Sequence, residues 1–177
     1  MKIAVFCSAN ADIDPAYGAA ADELGRWAAG NGHTIVFGGC NLGLMERVAA
    51  AARRAGGRTI GVIPTIIEHG GKASDNVDVK IPCDNLSDRK DIMLAQSDAA
   101  VALPGGLGTL DEVFTVAASA SIGYHHKPVV LYNVGGYWNS LIGMLGDMQR
   151  RGTIRGHWSE LIRVAETLDD VKKMLPH

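Results

Sequence analysis

At 177 residues with a formal net charge of −2, the chain is long enough to bury one full hydrophobic core without help from metals or disulfides. Hydrophobic residues make up 47% of it and aromatics 6%, which excludes a disordered or fibrous chain and suits helices packed closely on a sheet. The near-neutral balance argues against a protein that grips long nucleic acid through its phosphates, and leaves a small charged ligand open. Cys7, Cys40 and Cys83 are odd in number and lack CxxC or His-paired spacing, so neither a disulfide framework nor a metal site is expected. They read as buried thiols in a reducing compartment. Lys2 and the apolar Ile3 to Ala9 imitate the start of a secretory signal, but the stretch is short for one and reads better as a strand. No apolar run is long enough to span a bilayer. The expectation is a cytoplasmic protein, one domain over residues 1–177, with no nucleic-acid or membrane partner.

In chain order, Ile3 to Cys7 is a continuous apolar run rich in β-formers, the pattern of a strand covered on both faces. Asp14 with Pro15 behind it predicts an N-cap and first helical position, and Tyr17, Ala20, Ala21, Leu24, Trp27 and Ala28 recur at helical spacing until Gly30-Asn31-Gly32. A second unit repeats the scheme: strand His33 to Phe37, a small-residue helix Leu42 to Ala55, and strand Thr59 to Ile63 closed by Pro64. Residues 64–77 read as a loop or short helix, because Gly70-Gly71 and Asp75-Asn76 break any periodicity. There follow strand Val77 to Ile81, helix Ser87 to Gln96, strand Ala99 to Leu103, helix Thr109 to Ile122 and strand Val129 to Tyr132. Helix Tyr137 to Arg150, a weak edge strand Leu161 to Val164 and a last helix Leu168 to Leu175, capped by Thr167, complete the chain. Such alternation predicts right-handed crossovers and an α/β fold: a doubly wound parallel sheet with helices on both faces.

In sheets of this kind ligands bind beyond the carboxyl ends of the strands. Two loops there carry glycines into a helix, Gly38-Gly39-Cys40-Asn41-Leu42-Gly43 and Pro104-Gly105-Gly106-Leu107-Gly108-Thr109. Both aim unpaired N–H groups and a positive helix end at an anion, with phosphate the natural candidate. Neither matches GxxxxGK[ST], nor GxGxxG with an acidic residue about twenty positions on, so a nucleoside triphosphatase or ordinary NAD enzyme is disfavoured. Thr109-x-x-Glu112 has the form of a capping box, and pattern alone favours the cap. Yet a carboxylate one turn above such a loop also suits positive charge developing on a bound sugar. Asp111 reads as solvated. Arg89-Lys90, early in a helix where cations oppose the dipole, hints at a ligand anion, though a solvated charged pair is the commoner reading of such a pattern. Ser8, at the end of the first strand, either bonds a ligand or caps its turn. The six histidines show neither HxH nor HExxH spacing, and no GxSxG elbow supports a serine hydrolase.

The run Pro104-Gly105-Gly106-Leu107-Gly108-Thr109-Leu110-Asp111-Glu112, preceded by Arg89-Lys90 with Met93 and by Ser97-Asp98, resembles the PGGxGTxxE and RK signature of the LOG family. These are cytokinin riboside 5′-monophosphate phosphoribohydrolases, many of them labelled as lysine decarboxylases. The similarity extends through Val5-Phe6-Cys7-Ser8, Gly38-Gly39, Gly43-Leu44-Met45, Gly61-Val62-Ile63-Pro64 and Lys127-Pro128 to Asn133-Val134-Gly135-Gly136-Tyr137. It implies a Rossmann-like fold, a homodimer, an AMP-like nucleotide held through Gly105, Gly106, Gly108 and Thr109, and Arg89 with Glu112 as the catalytic pair. Ser8, Gly39 and Lys90 are expected as further substrate-binding residues. No cofactor is expected, and nothing marks a Schiff-base lysine for pyridoxal phosphate.

The chain departs from that pattern in three places. Cys40 stands where a third glycine is common, and Leu86-Ser87 where Met-His is usual. Ser119-Ala120-Ser121-Ile122-Gly123 replaces a usual Trp-x-Gln-Leu-Gly. The expectation is therefore an N-glycosidic hydrolase of AMP or a related monophosphate, with an altered base pocket. The competing reading is a nucleotide-binding or carrier module on the same scaffold that does no hydrolysis. Val113, Phe114, Val116, Ala117 and Ala120 offer more apolar surface than one sheet face needs, which supports a homodimer.

Overall fold

Every second residue of the central strands faces the same layer of helices, so one sheet serves two cores. The computed structural model describes residues 1–176. Seven parallel strands lie in the order β4-β3-β2-β1-β5-β6-β7, with β1 Lys2–Phe6, β2 Thr34–Phe37, β3 Arg58–Pro64, β4 Val79–Cys83, β5 Ala99–Ala102, β6 Val129–Tyr132 and β7 Ile162–Ala165. Ile3, Val5, Ile35, Phe37, Val101 and Val130 turn to the face covered by α1 Pro15–Gly30, α2 Gly43–Arg54 and α8 Leu168–Met174. Ala4, Phe6, Val36, Ala102, Val129 and Leu131 turn to the other, covered by α4 Leu86–Ala95, α5 Leu107–Ser121, α6 Asn139–Arg150 and the short α7 Trp158–Leu161. The doubly wound Rossmann-like architecture is the one read from the sequence.

Local signals place several boundaries. Asp14 accepts a hydrogen bond from the Ala16 N–H at 2.8 Å, with Pro15 opening α1. Thr167 and Asp170 form a reciprocal capping box at the start of α8. Asn85 caps α4 by accepting from the N–H groups of Ser87 and Asp88. No helix among the described residues is long and apolar enough to cross a membrane.

The expected capping box at Thr109-x-x-Glu112 is not formed. Helix α5 begins two residues earlier, at Leu107, with Gly106 as an N-cap that offers no side chain. Glu112 is therefore an interior helical residue. Residues 64–77 resolve into a short α3, Thr65–His69, and a segment that lies across the first glycine loop. There Cys40 bridges Ala73, the Asn41 N–H donates to the Lys72 carbonyl and the Ser74 N–H to the Gly39 carbonyl. Glu46 of α2 takes the Ser74 hydroxyl and the Asn76 amide. Of this loop's amides, those of Asn41 and Leu44 are taken by the Lys72 and Ser8 carbonyls.

Candidate active site

Strands β1 and β5 are neighbours at the middle of the sheet, but α1 leaves β1 on one face and α5 leaves β5 on the other. Their carboxyl ends diverge into a crevice, the place where doubly wound sheets hold ligands. A cavity of about 230 Å³ opens there, walled by Cys7, Ser8, Ala9, Met45, Arg89, Gly106, Gly108, Thr109 and Glu112. A second lobe of about 230 Å³ shares Ser8 and Gly106 and is closed by Asn10, Ile13, Tyr17, Pro104, Gly105 and Tyr137.

The floor between the lobes is the start of α5. Its first turn leaves backbone N–H groups without helical partners, no side chain caps them, and the helix dipole adds positive potential. A Cβ on Gly106 or Gly108 would meet nothing within 4 Å, so both face open space. On Gly105 it would fall on the Thr109 side chain well inside contact distance, so that glycine permits Thr109 to fold back against the loop. Gly105, Gly106, Gly108 and Thr109 are thus gathered into one corner of the cleft, with the uncapped start of α5 beneath it.

Glu112 stands one turn above this corner. Its side chain is 3% exposed and accepts a hydrogen bond from Arg89 Nη2 at 3.0 Å; Arg89 is 14% exposed. Burial disfavours the charged carboxylate and raises its pKa to about 7; Arg89 opposes that rise and Asp111 adds to it. The Arg89 Nε is buried with no hydrogen-bond partner among the described residues. Gly38 leaves room for the guanidinium, since a Cβ there would lie 3.2 Å from Nη1.

The other expected site residues divide. Ser8 lines both lobes, and its Oγ accepts the Asn10 N–H at 3.0 Å, so it caps its own turn while facing the cleft. Lys90 is not on the cleft wall: its Nζ reaches both Asp111 oxygens, at 2.7 and 2.8 Å. Asp111, read as solvated, is half-exposed but paired. Gly39 also lies off the wall, at φ +71° with Ile63 where a Cβ would stand, so it serves the turn. Cys7, Met45, Tyr17 and Tyr137 were not singled out as site residues. The position of Cys7 at the end of the central strand is the signal that could have found it. Burial pushes the Cys7 thiol well above its ordinary pKa, and Glu112 and Cys40 add to that, so it stays a neutral thiol rather than a nucleophile.

A family model described as possible lysine decarboxylase matches residues 45–175. A cytokinin riboside 5′-monophosphate phosphoribohydrolase of Mycobacterium tuberculosis (strain ATCC 25618 / H37Rv) is 36% identical over 168 residues, 95% of this chain and 89% of its own length. The chain belongs to the LOG family. Another relative, the cytokinin riboside 5′-monophosphate phosphoribohydrolase of Arabidopsis thaliana, is 35% identical over 98% of this chain and 81% of its own. Among solved structures, the molybdenum cofactor carrier protein of Chlamydomonas reinhardtii superposes with a TM-score of 0.75 at 29% identity, covering 98% of this LOG chain and 96% of the carrier. The family's fold is therefore shared by proteins named as hydrolases and by one named as a carrier.

The serine departures from the LOG pattern on α5 lie off the cleft wall. The Ser119 hydroxyl donates to the Thr115 carbonyl and that of Ser121 to the Ala118 carbonyl, so both are satisfied within their own helix. Neither lines the cleft. Ser121 instead borders a groove of about 300 Å³ between α5, α6 and α7, with Phe114, Met148 and Trp158, which holds no carboxylate. Leu86 and Ser87 are exposed at the start of α4.

Proposed function

We propose that the protein is a nucleoside 5′-monophosphate phosphoribohydrolase, splitting the N-glycosidic bond of AMP or a cytokinin riboside monophosphate into free base and ribose 5-phosphate. One observation carries the reading: a buried carboxylate with its pKa raised to about 7, bonded to a largely enclosed arginine, stands one turn above an uncapped helix N-terminus. The amides around Gly106 and Gly108, with Thr109, receive the 5′-phosphate, and this binding, remote from the reacting bond, fixes the ribose. Water adds to C1′ as the bond to the base nitrogen breaks and its electron pair leaves with the base; overall, one proton of that water ends on the base nitrogen and the hydroxyl stays on C1′.

Glu112 acts in its ionised form, stabilising the positive charge that develops on the ribosyl ring or orienting the attacking water. Its desolvated setting strengthens that interaction relative to bulk water. Arg89 holds the nucleotide and offsets negative charge on the departing base, and its unpartnered Nε is a donor in reserve. A second acid on the opposite wall is absent from the cleft lining, so two-carboxylate glycosidase chemistry is not invoked.

The carrier reading draws on the likeness to the molybdenum cofactor carrier protein. A carrier needs the phosphate corner but gains nothing from a carboxylate held near neutrality. Incubating the protein with AMP, other nucleoside monophosphates and a prenylated AMP, and assaying for free base and ribose 5-phosphate, separates the two. Release of base from at least one supports the hydrolase; tight binding of all with release from none leaves the carrier.

A further inference from the structure

The Asn133-Val134-Gly135-Gly136-Tyr137 segment after β6 is part of the family resemblance, yet none of it is needed by the chemistry above. Its last residue reaches the phosphate corner: the Tyr137 hydroxyl donates a 2.7 Å hydrogen bond to the Gly105 carbonyl. The phenol is held from both sides. Its ring packs edge-on against Tyr17, with centroids 5.4 Å apart, and against the buried Trp138 at 4.8 Å. Asn133, itself buried, accepts the Trp138 N–H at 2.7 Å and donates to Asn139 and Glu166. A buried amide thus fixes the turn that delivers one hydroxyl to one carbonyl.

That carbonyl belongs to the peptide joining Gly105 to Gly106. In a trans peptide the C=O and N–H lie on opposite edges of one plane, so an oxygen turned to Tyr137 sets the Gly106 N–H on the other edge. Gly105 has no side chain to hold this plane, and the helix that follows lacks a side-chain cap. A free carbonyl here could also swing toward the anion and repel it. The geometry points to Tyr137 as a positioning residue: its hydroxyl locks the Gly105–Gly106 peptide in the orientation that receives a substrate phosphate.

The proposal rests on reading the start of α5 as the phosphate site, and the test keeps the two apart. Tyr137→Phe preserves the ring contacts and removes only the donor. Calorimetric titration with ribose 5-phosphate should show affinity falling about three- to tenfold, the range for one lost hydrogen bond, while binding of adenosine, which has no phosphate, is unchanged. In the ligand-free proteins the amide resonance of Gly106 should move between wild type and Tyr137→Phe, because positioning precedes binding. In catalysis KM for AMP should rise with kcat nearly constant.

Equal ribose 5-phosphate affinity in the two proteins, or a Gly106 resonance that stays in place, overturns the assignment to Tyr137 and leaves the loop reading intact. Equal losses for adenosine and ribose 5-phosphate overturn it too, since the defect would then be general to the cleft. A wild-type protein that binds no ribose 5-phosphate overturns the loop reading and this proposal with it.

Discussion

Arg89 donates to Glu112 across 3.0 Å, and the residue after Arg89 pairs with the residue before Glu112, Lys90 with Asp111 at 2.7 Å. The two bridges differ in surroundings rather than in type. The inner pair is nearly closed to solvent, so desolvation shapes its titration. The outer pair ends on a half-exposed aspartate, where a bridge contributes little to stability. One pair of helices therefore carries a bridge closed to solvent and, beside it, one that ends at the surface.

Glu112→Gln keeps the shape and an acceptor for Arg89 but cannot ionise. Base release should fall by at least a hundredfold while AMP binding stays within about threefold, measured by product assay and calorimetry. Because Glu112 is not a helix cap, no capping loss accompanies the change. A folded variant with wild-type turnover would remove Glu112 from the mechanism.

The raised pKa also links Glu112 to folding. A carboxyl whose pKa rises from 4.5 to about 7 on folding binds its proton more tightly in the native state. The stability this gives is complete below pH 4.5 and lost as pH rises through about 7. Gln has no such dependence. Relative to wild type, Glu112→Gln should therefore gain stability between pH 4.5 and 8, by on the order of 3 kcal/mol, read from urea unfolding at each pH. A difference independent of pH would contradict the assigned titration.

Activity should follow the ionised form. With Glu112 working as a carboxylate, kcat/KM for AMP rises with pH through about 7 and then levels. Arg89 holds that pKa down, so Arg89→Ala should move the Glu112 titration upward, observable by carbon NMR of the carboxyl group. A kcat/KM that falls as pH rises through this range would recast Glu112 as an acid.

The glycines of the phosphate loop should respond differently to one added methyl. Gly108→Ala meets open space and replaces a poor helix former inside α5, so stability should rise by roughly 0.5–1 kcal/mol while ribose 5-phosphate affinity drops. Gly105→Ala collides with Thr109 and should lower both. Thermal unfolding and titration of the two variants side by side give the comparison.

Assembly can be tested on α5. Val113, Val116 and Ala117 are buried by the chain's own sheet, while Phe114 and Ala120 stay half-buried and Ile122 exposed. The expected homodimer would cover the groove bordered by Phe114, Met148 and Trp158. Light scattering at micromolar concentration should report twice the chain mass, and Phe114→Glu should halve it. A monomer in both cases counts against that assembly.

Where composition and spacing act locally, the sequence was readable. Asp14-Pro15 opened α1, Thr167 capped α8, and the Val129–Tyr132 run matched β6 to the residue. Helix α5 was misplaced by two residues because its N-cap is a glycine, whose suitability rests on backbone geometry, while Thr109 and Glu112 imitate a side-chain cap. Four-residue α7 is too short to show a period. In the site, Arg89, Glu112 and the loop glycines were legible through the motif. The contacts of Lys90 and Gly39, which lie outside the cleft lining, were not legible, since their neighbours, Asp111 and Ile63, are set by how α4 meets α5 and how the loop meets β3.

The central position of β1 has a consequence for synthesis. Strand β1 pairs with β2 on one side, but its other neighbour, β5, is made almost a hundred residues later. A nascent chain can assemble β1 to β4 and α1 to α3 while the long edge of β1, with Ile3 to Phe6, waits unpaired. An open apolar edge invites association with other chains. Arrival of residues 99–112 covers that edge with β5 and brings in Glu112 at the same moment, so the step that pairs β1 on its second side is also the one that forms the cleft.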